Sequence, residues 1–128
     1  MSIRTPLARA RGLGSAKSGT HHWWVQRITA VALIPLAIWF VVGLVVIGGA
    51  DHATAIAWIG HPLGAVLLVL AIAFGFWHGQ LGLQVVIEDY VHGEGCRIAL
   101  LLVMKGAALV LALAAILSVL RVALGGAV

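Results

Sequence analysis

The sequence predicts an all-α integral membrane protein with three transmembrane helices. Hydrophobic residues make up 62% of the 128 residues and charged residues only 9%, against about 25% in an average soluble domain. The mean hydropathy is +1.12. A soluble fold of this size cannot bury so much apolar surface, and a disordered chain needs low hydrophobicity and high charge. Both classes are therefore excluded.

Three apolar stretches are long enough to cross a bilayer, which takes roughly 20 residues. They cover about 28–48, 62–87 and 98–124. We expect loops over 49–60 and 88–95, because glycines and acidic residues break the apolar pattern there. Pro62 stands where a helix accepts proline, in the first turn of the second span.

Two regions follow from this pattern. Residues 1–27 form a polar, basic tail and interfacial segment, and residues 28–128 form the three-helix membrane domain. The tail and Arg27 carry five of the eight Lys and Arg residues, and the first loop carries none. The positive-inside rule then predicts a cytoplasmic N-terminus and a periplasmic C-terminus. The few, scattered basic residues are explained by orientation and do not indicate nucleic-acid binding.

The short tail favours the inner membrane of a bacterium. A mitochondrial inner-membrane protein is the alternative, because transit segments are also rich in Arg and Ser and poor in acids.

His78 lies in the middle of the second span, about 15 Å from Glu88 at 1.5 Å per residue. An ionisable residue inside a span is a functional candidate by default. The alternative is a histidine that hydrogen-bonds a neighbouring helix and holds the bundle together.

Glycines surround His78 along its helix, and Gly75 and Gly82 are expected to share its face. Gly75 and Gly79 form a small-xxx-small pair, which commonly serves close helix packing. Beside a neutral imidazole, the same glycines can give clearance for a haem. No other histidine of the chain lies at a suitable depth for a second axial ligand, so a six-coordinate haem would need a histidine from another protein chain.

Asp89 and Tyr90 follow His78 by eleven and twelve residues, close to the membrane surface. Three helical turns separate Asp89 from His78, so both can face one direction. A phenol donor beside a carboxylate could supply the hydrogen bond and the protons that quinone reduction requires. The alternatives are an aromatic belt residue and a solvated helix end.

His21 and Arg27 stand six residues apart on the approach to the first span. Arginine binds anionic groups bidentately, so this pair could hold haem propionates. A positive-inside anchor is the alternative for Arg27. The roles of Lys105, inside the third span, and Cys96, near the interface, stay open.

At these residues the chain resembles the small hydrophobic membrane-anchor subunit of succinate dehydrogenase, respiratory complex II. The main motif places His78 eleven residues ahead of the pair Asp89-Tyr90. The spacing of six between His21 and Arg27 and the position of Arg97, eight residues after Asp89, also match. The chain length, the three spans and the predicted orientation agree as well.

The resemblance implies that His78 is one axial ligand of haem b iron and that a second membrane anchor subunit supplies the other. It implies roles in the ubiquinone site for Tyr90 and Asp89, and positions near the haem propionates for His21 and Arg27. The implied partners are the flavoprotein subunit, the iron–sulfur subunit and the second anchor. The chain would complete the quinone site and anchor the complex, coupling succinate oxidation to respiration without oxidising succinate itself.

Three alternatives remain at this point. The chain could be the anchor of a fumarate reductase, because the sequence does not fix the direction of the reaction. It could be a small transporter or channel component with His78 as a proton relay, although the spans offer few polar residues for a pathway. It could also be a purely structural protein in which His78 packs one helix on another.

Overall fold

The computed structural model describes residues 5–10, without the side chains of 8 and 9, and residues 19–125. These residues form five α-helices, and neither range contains a strand. The helices are α1 (Pro6–Ala10), α2 (Gly19–Ile47), α3 (His52–Gly60), α4 (Pro62–Tyr90) and α5 (Glu94–Ala123). α2, α4 and α5 have the length and apolar composition to cross a membrane. The predicted all-α, three-span fold class is confirmed.

The long helices extend beyond the predicted spans. α2 begins at Gly19 instead of near 28, and α4 continues to Tyr90. A bilayer limits the length of the apolar segment, whereas a helix can continue through the interface because its backbone bonds are internal. The predicted loop over 88–95 is therefore wrong at both ends, and only 91–93 separate α4 from α5. Of the predicted tail, residues 1–4 and 11–18 lie outside the described residues.

The predicted loop over 49–60 is also wrong, because most of it forms α3. The carboxylate of Asp51 caps this helix by accepting a hydrogen bond from the backbone N–H of Thr54 at 3.0 Å. Hydrogen bonds from the side chain and backbone of Thr54 lower the pKa of Asp51. His61 alone joins α3 to α4, and Pro62 occupies the start of α4 as predicted.

α4 is the central helix and packs against α2, α3 and α5. The buried residues of α2 recur every seven positions, at Thr29, Leu36 and Gly43, which is two helical turns and gives one line along the helix. Small residues are common in these contacts, since they let helix backbones approach closely in a membrane. α5 contributes no buried residue, so much of its apolar surface is free to meet lipid or another chain.

A tryptophan holds α3 against α2. The indole of Trp58 stacks on that of Trp39, with ring centroids 5.2 Å apart and planes inclined by 14°. The Trp58 ring also lies directly on Gly43: a Cβ at that position would be 3.1 Å from Cε2 and Cη2 and closer still to Cζ2. Glycine is therefore required sterically at residue 43.

Candidate functional site

His78 lies near the middle of α4, twelve residues before the helix ends at Tyr90. This separation corresponds to about 18 Å along the axis. Its side chain is half-buried and directed toward α2, where Nδ1 lies 3.0 Å from Oγ1 of Thr29. Nε2 has no hydrogen-bond partner among the described residues. The structure thus holds His78 at one ring nitrogen and leaves the other available.

Thr29 is the residue of the site that sequence reasoning missed. It is only 1% exposed and is the most completely buried polar side chain in the described ranges. Its Oγ1 also lies 2.8 Å from the carbonyl oxygen of Val25 and 3.1 Å from that of Gln26. One signal could have pointed to it: α2 and α4 are antiparallel, and Thr29 and His78 lie ten and twelve residues from the ends of their helices on the same side.

Two further polar atoms on α2 are buried and unpartnered within the described residues. They are Nε2 of His22 and Oε1 of Gln26. His22, Gln26 and Thr29 share one face of α2 because their spacing of four and three follows the helical repeat. The amide of Gln26 reaches α4, where a Cβ on Gly82 would lie 3.7 Å from Nε2. A polar strip on α2 therefore runs from the helix start to His78.

The predicted pair His21 and Arg27 lies on the same end of α2 but outside this strip. His21 is exposed and Arg27 is exposed as well. The guanidinium carbon of Arg27 lies 5.2 Å from the ring centroid of Trp23, a cation–π arrangement. Six residues on a helix turn the side chain by about 240°, so the two residues point in different directions. The structure does not bring either of them to His78.

Asp89 and Tyr90 are the last two residues of α4. They belong to the same unbroken helix as His78, and eleven residues return Asp89 to nearly the same side of it. Both side chains are exposed, Tyr90 by 79%. Neither makes a hydrogen bond within the described residues, whereas the neighbouring Glu88 accepts one from Gln84 at 2.8 Å. The phenol and the carboxylate are thus free to meet a ligand or another protein chain.

An apolar cavity of about 570 Å³ lies between α2, α4 and α5. Gly75 and Gly79 line it, and Gln80 is the one polar side chain among its lining residues in the described part of the chain. A Cβ at Gly75 or Gly79 would meet nothing within 4 Å, whereas Gly82 packs against α2. Gly75 and Gly79 therefore mark an open stretch of α4 next to His78 in the chain, although His78 is not among the residues that line the cavity. A cavity with this lining is unsuited to carrying ions or protons.

The chain matches a known protein family over most of its length. The model of the succinate dehydrogenase/fumarate reductase transmembrane subunit matches residues 1–121. The chain belongs to this family. It is accordingly a multi-pass membrane protein, with α2, α4 and α5 as its spans.

Several curated members of the family are similar over most of the chain. The succinate dehydrogenase hydrophobic membrane anchor subunit of Rickettsia bellii is 35% identical over 103 residues, covering 80% of this chain and 82% of that protein. The subunit of the same name from Paracoccus denitrificans is 33% identical, with coverage of 79% and 78%. The succinate dehydrogenase membrane anchor subunit of Reclinomonas americana is 33% identical over 85 residues, with coverage of 64% and 71%. No solved structure matches the chain.

Proposed function

We propose that the chain is the small hydrophobic membrane anchor of a succinate dehydrogenase. In this proposal it binds the flavoprotein and iron–sulfur subunits at the cytoplasmic face of a bacterial inner membrane and packs against a second membrane anchor. The proposal is supported by family membership and by relatives that bear the succinate dehydrogenase name. The exposed apolar surface of α5 offers area for packing against the second anchor.

His78 is proposed as one axial ligand of a haem b shared with the second anchor. The observation that carries this assignment is the half-buried imidazole at mid-span, which is held through Nδ1 by Thr29 and has Nε2 unpartnered among the described residues. Neutral imidazole nitrogen is a normal haem ligand, and Gly75 and Gly79, which flank His78 on α4, have no side-chain contacts within this chain. These residues therefore fit the group. When bound, haem b supplies a one-electron redox centre within the membrane.

The haem propionates would be held at the N-terminal end of α2. Arg27 and His21 remain the proposed partners, because cationic and hydrogen-bonding groups are needed there. His22 is a further candidate, since its Nε2 is buried and lacks a partner in the described part of the chain.

Asp89 and Tyr90 are proposed as this chain's part of the ubiquinone site. The Tyr90 phenol would donate a hydrogen bond to a quinone carbonyl oxygen and so stabilise the negative charge that develops on reduction. The Asp89 carboxylate would pass protons from water to the quinone, which takes up two protons with two electrons. Their position at the end of α4 suits this role, because the quinone head group is polar and the iron–sulfur subunit would lie at the same surface.

The experiment begins with affinity purification of the tagged chain from its native membrane. We expect the flavoprotein, the iron–sulfur subunit and a second anchor to copurify in equal amounts. Succinate-dependent reduction of ubiquinone is then compared with reduction of a soluble dye that accepts electrons from the hydrophilic subunits. Tyr90→Phe should lower the quinone rate about two- to tenfold, the effect of one hydrogen bond, and leave the dye rate unchanged.

His52→Ala is the matched control, since this exposed histidine lies at the opposite end of the bundle. It should leave both rates unchanged. A Tyr90→Phe complex with the parental quinone rate and affinity would contradict the proposed quinone site. Purification without the other succinate dehydrogenase proteins would contradict the proposed function as a whole.

A further inference from the structure

Thr29 and His78 form the only hydrogen bond between side chains of different helices in the described ranges. We propose that Thr29 is a positioning residue that fixes the tautomer and the orientation of His78, so that Nε2 is the ligand atom. This inference rests on the proposed function, in which His78 binds haem iron.

The hydroxyl proton of Thr29 decides the tautomer. A threonine hydroxyl has one proton to donate and two lone pairs that accept. Carbonyl oxygens only accept, and Oγ1 lies 2.8 Å from Val25 O and 3.1 Å from Gln26 O. The proton is therefore directed to these carbonyls, and Oγ1 faces His78 with a lone pair. The 3.0 Å contact is then a hydrogen bond donated by Nδ1–H of His78.

A neutral imidazole that carries its proton on Nδ1 has its lone pair on Nε2. The hydrogen bond made by one ring nitrogen thus determines which nitrogen binds a metal. If Thr29 instead donated its proton to Nδ1, its oxygen would lie about 3 Å from two carbonyl oxygens with no hydrogen atom between them. Such contacts between acceptor oxygens are repulsive. The backbone of α2 therefore selects the tautomer of a side chain on α4 through the threonine hydroxyl.

Burial makes this contact a rigid one. Thr29 is 1% exposed, and its branched Cβ restricts it to few rotamers in a helix. The bond to Val25 O fixes the rotamer further. Because Thr29 lies on the buried line of α2 that faces α4, the imidazole cannot turn about its Cβ–Cγ bond without losing the hydrogen bond. Thr29 therefore sets the plane of the ring as well as its proton.

A donor bond from the second ring nitrogen raises the basicity of a ligating histidine. A more basic axial ligand favours ferric over ferrous iron and so lowers the haem midpoint potential. Loss of the Thr29 hydroxyl should therefore raise the potential. It should also weaken haem binding, since removal of such partners typically costs about 10–100-fold in metal affinity.

The test uses the purified complex of all four proteins with Thr29→Val, Thr29→Ser and His78→Ala in this chain. Valine keeps the branched shape without the hydroxyl, and serine keeps the hydroxyl without the methyl group. The measurements are haem content, the midpoint potential from a redox titration of the optical b-type signal, and the g-values of the ferric haem in electron paramagnetic resonance. Thr29→Ala serves as a second variant that cannot introduce a steric clash.

We expect Thr29→Val and Thr29→Ala to raise the midpoint potential, shift the g-values and lower haem content, whereas Thr29→Ser stays close to the parent. Unchanged potential and g-values in haem-containing Thr29→Val or Thr29→Ala would overturn the inference, because the hydroxyl would then have no effect on His78. The same changes in Thr29→Ser, which keeps the hydroxyl, would also overturn it. A parent complex without haem, or a His78→Ala complex that retains the parental haem signal, would instead contradict the proposed function.

Discussion

Gly43→Ala is expected to destabilise the packing of α3 on α2. The new methyl carbon would lie 3.1 Å or less from three carbons of the Trp58 indole, whereas carbon atoms pack best at about 3.5–4.0 Å. The indole cannot retreat freely, because it is also stacked on Trp39. The ring must therefore leave the stack, or α3 must move away from α2.

The expected cost combines three effects. Overpacking costs typically about 1–3 kcal/mol, and loss of a stacked aromatic pair costs about 0.5–1.5 kcal/mol. Replacement of glycine by alanine inside a helix is itself stabilising by roughly 1 kcal/mol, because alanine has the higher helix propensity. The net destabilisation is therefore about 0.5–3.5 kcal/mol, which should lower the melting temperature of the complex.

The assay is thermal unfolding of the detergent-purified complex, followed by the near-ultraviolet circular dichroism of its tryptophans. Trp58→Ala provides the control background, since it removes the ring that the new methyl group would strike. In that background Gly43→Ala should cause little further loss, which is the coupling expected of two residues in contact. An equal fall in melting temperature in the parent and in the Trp58→Ala background, or no fall in either, would refute the steric reasoning.

Two further predictions concern the open face of α4 and the cap of α3. Gly79→Leu should reduce haem content, because overlap with a group bound beside His78 costs about 1–3 kcal/mol and so weakens haem binding roughly five- to 150-fold. Gly106→Leu is the control: Gly106 is equally free of contacts within this chain, and the variant should retain haem. Equal haem content in the two complexes would contradict the proposal that haem uses the space at Gly79. The pKa of Asp51 is lower in the folded chain than its ordinary value of 3.8. The ionised carboxylate therefore stabilises the folded chain above pH 3.8, and this stabilisation is lost as the pH falls through the lower, folded-state pKa. An acid titration of tryptophan fluorescence should therefore show a transition below pH 3.8 that Asp51→Asn, which caps without titrating, removes; a transition of the same size in that variant would assign it to another group.

The number of spans was predictable because the apolar stretches are long and separated by glycines and acids. The sequence did not predict which faces of the helices pack against one another. α2, α4 and α5 are apolar nearly all round, and such helices carry no periodic signal for the side that meets a neighbour. The buried line of α2 consists of Thr29, Leu36 and Gly43, and many similar residues in the three helices are not buried.

Part of the candidate site was also predictable from the sequence. His78 stands out in the sequence because an ionisable group at mid-span is costly in lipid, and the unbroken α4 places Asp89 on its side as the spacing predicts. Thr29 was missed because a lone threonine in a span is common and its partner lies 49 residues away. α3 was missed because its nine residues are too few for an apolar pattern to distinguish a helix from a loop.

The central proposal is that His78 ligates a haem between this chain and a partner protein. The most direct measurement is the reduced-minus-oxidised optical spectrum of the purified complex, from the parent, His78→Ala and the control His52→Ala. We predict a b-type haem signal in the parent and the control, and its loss in His78→Ala with all four proteins still present. A b-type signal of parental size in an assembled His78→Ala complex would contradict the proposal.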